Sequence, residues 1–125
     1  MQITVNSIQK GADEFAGAIS DYKKMAAKFA AVRDETFFNA NIARAQAASR
    51  ELALMAYDEA YLPRLSGYVV VLDERGQELD SMEFASMLKD KSAVSFFIGG
   101  AYGLSENFKA KADKIISLSR LTLAH

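Results

Sequence analysis

Two short apolar runs constrain the fold of this chain more than any other feature. YVVVL at residues 68–72 and AVSFFI at residues 93–98 carry β-branched and aromatic side chains with almost no polar alternation, the pattern of strands covered on both faces. Such strands sit inside α/β sheets, because a layer of helices on each side is needed to keep both faces from water. The intervening segments supply those layers. Residues 1–7 alternate, with Ile3 and Val5 opposite Gln2, Thr4 and Asn6, which predicts a strand with one covered face. Residues 12–30 place Phe15, Ile19, Tyr22, Ala26 and Phe29 at helical spacing. AAVRDETFF at 30–38 reads as an edge or irregular strand weakened by its charges. The alanine-rich stretch at 41–61 predicts one long helix with Ile42, Ala45, Ala48, Leu52 and Met55 on a shared face, stopped by Pro63 and Gly67.

Beyond YVVVL the pattern continues. A polar turn is expected at Asp73 to Gly76, and Asp80 stands three residues before Glu83, a capping-box start for a helix that turns Phe84, Met87 and Leu88 inward. Gly99, Gly100 and Gly103 follow AVSFFI, Ser105 is placed to cap a short helix through Ala112, and residues 114–118 read as a last strand. The sum is one α/β domain over residues 1–125, with its buried strands parallel and helices flanking the sheet.

Composition removes whole classes of chemistry. With no cysteine and a single histidine among 125 residues, disulfides, thiolate zinc sites, thiol nucleophiles and a multi-histidine metal site within one chain are excluded. Fifteen basic against sixteen acidic residues give a net charge of −1 and an isoelectric point near 5.8, so any nucleic-acid contact has to be local. The start, MQITVNSIQK, is not a secretory leader, and no apolar run approaches the ~20 residues of a membrane span, so a cytoplasmic protein without membrane contact is expected.

In parallel sheets, ligands gather beyond the carboxyl ends of strands. Three such ends are candidates: Leu72 with Asp73, Gly99 with Gly100, and residues 118–123. The glycines also read as a tight turn needing positive φ, and Leu72, Leu118, Leu121 and Leu123 as plain core. The glycine spacing is neither G-x-G-x-x-G nor a P-loop, and no acidic residue follows Asp113, which disfavours dinucleotide and nucleotide-phosphate enzymes.

Residues 96–105, FFIGGAYGLS, followed by residues 116–125, ISLSRLTLAH, resemble the RlmH (formerly YbeA-like) family of SPOUT RNA methyltransferases, which carries I-G-G-x-x-G-L and then S-x-S-x-x-T-hydrophobic-P-H. Met1-Gln2-Ile3 and Val70-Val71-Leu72-Asp73 extend the likeness along the chain. The resemblance implies a SPOUT fold with a trefoil knot in its C-terminal half, a homodimer, and S-adenosylmethionine as cofactor. It implies methylation of N3 of a pseudouridine in 23S ribosomal RNA of the assembled ribosome. Carried over by position, the cofactor residues are Leu72, Gly99, Leu118, Ser119, Arg120, Leu121, Thr122 and Leu123.

Ala124 stands where the family has proline, and Tyr102 where an acidic or polar residue is common. The family continues beyond the position of His125 through a helix and a basic, aromatic tail, so a C-terminally shortened domain with an incomplete knot is expected. The alternatives are an inactive SPOUT-fold dimeric binding module and, third, a nucleotide-utilising enzyme. The resemblance leaves the catalytic base unassigned. His125 is read as a solvated terminal imidazole or a catalytic one, Arg120 as a phosphate ligand or a surface residue, and Lys109, Lys111 and Lys114 as an RNA-facing cluster or a solvated face.

Overall fold

The computed structural model describes residues 1–8, 24, 27–28 and 30–117. The helix expected at 12–30 lies mostly outside the described residues, and the 118–123 segment lies wholly outside them. The described elements are β1 (Gln2–Ser7), β2 (Ala31–Thr36), α1 (Ala40–Ala48), α2 (Arg50–Tyr61), a 3-10 turn (Leu62–Arg64), β3 (Tyr68–Gln77), α3 (Ser81–Leu88), β4 (Ala93–Ile98), α4 (Glu106–Lys109) and β5 (Lys114–Ile116). The strands form one sheet in the order β2-β1-β4-β3-β5, and all four pairings are parallel.

Alternation within the two apolar runs divides the interior into two layers. Val70, Leu72, Val94, Phe96 and Ile98 face α3, where Phe84 and Leu88 cover them. Val69, Val71 and Phe97 face α1, α2 and α4, meeting Ile42, Ala53, Tyr57, Tyr61 and Phe108. The connections from β2 to β3 and from β4 to β5 both step toward the β5 edge and use the α1–α2–α4 face. The step back from β3 to β4 uses the α3 face. Opposite directions on opposite faces are what a single crossover handedness demands.

Local signals account for several element ends. Asp80 accepts from the Glu83 amide at 2.8 Å while Glu83 accepts from the Asp80 amide at 3.0 Å, completing the expected capping box. Ser105 Oγ accepts from the Phe108 amide at 3.0 Å and starts α4, which ends at Lys109 and passes into a turn rather than continuing to Ala112. β2 is an edge strand with mostly exposed side chains, as its charges predict.

Three expectations are corrected. The stretch at 41–61 is two helices, because Ser49 is extended (φ −167°, ψ 163°); its N–H bonds Ala45 O and its Oγ accepts from the Leu52 amide. The break resets the helical phase, so Ala53, Ala56, Tyr57 and Tyr61 are buried while Leu52 and Met55 are exposed. The residues Asp73 to Gly76 are not a free turn: β3 bulges there and pairs again with β5 at Gln77. The polar side of β1 is covered at its carboxyl end, where Asn6 is 1% exposed and its Nδ2 donates to Phe96 O at 3.1 Å. Among the described residues, no helix is long and apolar enough to cross a membrane.

Candidate functional site

Register decides what the carboxyl ends of the strands bring together. Leu72 pairs with Ile98 on one side and with Ile116 on the other, so the ends of β4 and β5 stand level with the point where β3 enters its bulge. Gly99 and Ser117 are the residues immediately beyond. All three side chains of the row are buried on the α3 face. β4 leaves the sheet here toward the α4 face and β3, after its bulge, toward the α3 face, the arrangement that opens a crevice at the end of a parallel sheet. Leu72 and Gly99 thus stand on neighbouring strands. Leu118, Ser119, Arg120, Leu121, Thr122 and Leu123 follow directly from the third end but lie outside the described residues.

The glycine turn owes its composition to its own geometry. Gly103 has φ +75° and its N–H bonds Gly100 O at 3.0 Å, which is the turn conformation glycine tolerates best. Gly99 is required by close approach: a Cβ there would lie 2.6 Å from Gly103 C and 2.7 Å from its Cα. A Cβ on Gly100 would collide with the Tyr57 ring. The positive-φ turn reading therefore holds for Gly103, whereas Gly99 and Gly100 have no positive φ and are constrained by lack of room for a side chain. Among the described residues, however, an added Cβ on Gly103 meets nothing within 4 Å, so none of them fills the outer side of the turn.

Two further elements frame the row. The bulged segment between Asp73 and Gln77 lies flat on β5, with Ser117 N–H donating to Gln77 O at 2.9 Å and no room for a side chain at Gly76 against the Ile116 backbone. Lys109 Nζ on α4 reaches Asp73 Oδ2 at 3.0 Å and Glu106 Oε1 at 3.1 Å. Lys109 is therefore half of a clasp between α4 and the end of β3 and not part of a free basic cluster. Lys111 is exposed and Lys114 half-buried.

Burial raises the Asp73 carboxyl, but the Arg75 amide and the Lys109 ammonium together outweigh it and hold the pKa below the usual value; the Asp73 hydrogen bond in turn raises Lys109. A depressed carboxylate contributes stability that is present above its unfolded pKa and lost as pH falls through the folded one. Lys109→Met is accordingly expected to cost about 1.5–3 kcal/mol at pH 7, the worth of a charged hydrogen bond. Urea unfolding should show that cost fading below about pH 4.

Sequence reasoning missed the support beneath the turn. α2 runs under the carboxyl end of β4 and holds it at successive points. Tyr61 Oη donates to Ile98 O at 2.5 Å, and Ser105 Oγ donates to the Asp58 carboxylate at 2.8–2.9 Å. Tyr57 packs against Gly100 and donates its hydroxyl to Gln46 Oε1. The signal was the i, i+4 spacing of Tyr57 and Tyr61, visible only once Ser49 has reset the helical phase. A separate polar cavity of about 430 Å³ lies along β1 from Gln2 to Asn6 and over the amino-terminal half of β4. Gln2, Thr4, Asn6, Glu35, Arg64 and Ser95 are among its lining residues, and it shares none with the strand-end row.

An all-parallel α/β sheet with a glycine turn beside the row of Leu72, Ile98 and Ile116 is the architecture of a ligand-binding α/β enzyme, and the family described as "Predicted SPOUT methyltransferase" matches residues 1–125. The chain belongs to the SPOUT methyltransferase family. Within it, the chain groups with the proteins named ribosomal RNA large subunit methyltransferase H. It is 57% identical over 124 residues to that of Campylobacter hominis, covering 99% of this chain and 82% of the relative. It is 56% identical over 126 residues to that of Campylobacter concisus and 43% identical over 126 residues to that of Aliarcobacter butzleri. Both matches cover 100% of this chain and 83% of the relative.

Proposed function

We propose that residues 1–125 form the S-adenosylmethionine-binding domain of a ribosomal RNA methyltransferase that acts on N3 of a pseudouridine in the 23S RNA of the assembled ribosome. The observation that carries the reading is the row formed by Leu72, Ile98 and Ile116: Leu72 and Gly99 stand on neighbouring strands, and residue 118 follows two positions after Ile116. The relatives' names support ribosomal RNA as the substrate. The homodimer, the knot and a cytoplasmic setting belong to the same reading and rest on the resemblance.

The residues present fit an adenosyl group. Leu72, Ile98 and Ile116 close the core directly beneath the strand ends, main-chain groups from Gly99 onward lie beyond them for a neutral base edge, and among the described residues nothing fills the space outside Gly103. Under this reading Leu72 and Leu118, Leu121 and Leu123 cover the faces of the adenine, while backbone amides and carbonyls at Gly99 and along residues 118–123 read its edge. When bound, the sulfonium supplies the methyl group and leaves as the thioether. The chain's contribution is chiefly to hold donor and acceptor in line, a positioning effect that reaches ~7–11 kcal/mol in well-oriented systems. The acceptor nitrogen carries a proton near neutral pH, which must leave before or during attack.

The test is calorimetric titration of the full-length protein with S-adenosylhomocysteine, the product form. A binding heat is expected, and at a hundredfold excess over the dissociation constant the ligand should stabilise the fold by ~2.7 kcal/mol. Absence of both heat and stabilisation would replace the enzyme reading with that of a SPOUT-fold binding module.

A further inference from the structure

The glycine turn is shaped from below as well as by its own glycines. Tyr57 is fully buried, and a Cβ on Gly100 would lie 2.5 Å from the Tyr57 oxygen, so the ring is in direct contact with the turn backbone. Its hydroxyl proton goes to Gln46 Oε1 on α1. Because a hydroxyl with its proton committed in one direction presents its lone pairs in the other, the Tyr57 oxygen keeps its lone pairs beside the turn backbone at Gly100. Burial raises the hydroxyl's pKa, and the backbone of Tyr102 and Ala101 offsets part of that rise. The side chain is thus a relay from the surface of α1 to the Gly99–Gly103 turn. Gln46 at the outer end is only half-buried.

We infer that Tyr57 is a positioning residue for the adenosyl ligand, its hydroxyl oriented by Gln46 so as to fix the backbone of the glycine turn in the conformation that receives the nucleoside. The inference rests on the cofactor reading above and names the residues that tune that site. Neither side chain touches the proposed ligand; each acts through main-chain atoms that do.

Four single variants of the full-length protein provide the test: Tyr57→Phe, Gln46→Leu, Gln46→Glu and Ser95→Ala. Ser95 is the control, because its buried hydroxyl donates to Ser66 O at 2.7 Å near the amino end of the same strand, away from the turn. Tyr57→Phe and Gln46→Leu are expected to weaken S-adenosylhomocysteine binding roughly tenfold, the scale of one hydrogen bond. Gln46→Glu keeps the acceptor and should stay within a fewfold of wild type. In turnover assays the KM for S-adenosylmethionine should rise in the first two variants while kcat at saturating cofactor stays within about twofold.

Ser95→Ala should lower the melting temperature without moving the dissociation constant. Wild-type affinity in Tyr57→Phe overturns the inference, and so does an equal loss of affinity in Ser95→Ala, which would mark a general loss of rigidity. A wild-type protein that fails to bind at all would instead overturn the cofactor reading.

Discussion

Gly99→Ala is expected to raise the dissociation constant for S-adenosylhomocysteine about a hundredfold in a protein that still folds. The added carbon would lie 2.6–2.7 Å from the carbonyl carbon, Cα and oxygen of Gly103. All three are backbone atoms, so relief requires the turn to open rather than a side chain to swing away. Overpacking of this kind costs about 1–3 kcal/mol of stability, within the 5–15 kcal/mol margin of an ordinary domain. Under the proposed function the ligand would meet the displaced backbone directly and lose both its contact and the turn's preorganisation. Calorimetry with circular dichroism as the folding control checks this, and wild-type affinity in a folded Gly99→Ala protein would remove the glycine turn from the binding site.

Phe97→Ala should be the most destabilising single change at the strand ends, by about 3–5 kcal/mol. The ring is fully buried. It packs edge-on against Tyr61 at 4.9 Å and Phe108 at 5.1 Å between centroids, and Tyr61 in turn meets Phe37 at 5.5 Å. Two elements, α2 and α4, therefore converge on one side chain from β4, and the segment after β2 joins the cluster through Tyr61. For a domain of this size the loss corresponds to roughly 10–20 °C in melting temperature, measurable by calorimetry. Phe97→Leu should fall between the two, since it keeps much of the volume but none of the edge-to-face geometry. A drop of only a few degrees in Phe97→Ala would show that the cluster is not a shared support for the turn.

The two predictions probe the same corner from opposite sides, one on the ligand face of the turn and one beneath it. Between them stand Tyr57 and Tyr61, whose contacts with Gly100 and Ile98 link the aromatic layer to the proposed binding backbone.

Much of this was legible in the residues. YVVVL and AVSFFI became β3 and β4, strands buried on both faces. The capping box at Asp80 and Glu83 formed as read, and the FFIGGAYGLS and ISLSRLTLAH strings carried the family. Ser49 was not legible: a serine inside a helix-forming alanine-rich stretch is ordinary, and only its extended backbone in the fold makes it the cap of both α1 and α2. Its misreading turned Leu52 and Met55 inward and hid Tyr57 and Tyr61. Lys109 was read with its charged neighbours in sequence, whereas its partner Asp73 is 36 residues away.

Sequence alone determined which segments are strands, where α3 and α4 begin and that the chain turns after β4, because each of those signals is exchanged between residues within about four positions of one another. Tertiary structure alone decided the order β2-β1-β4-β3-β5, the return of β3 to β5 past its bulge, and the seating of α2 under the glycine turn. Those depend on contacts such as Asn6 with Phe96, 90 residues apart. Hydrophobic patterning is indifferent to which buried strand pairs with which, and a parallel pairing is fixed only when the crossovers and both covering layers close together.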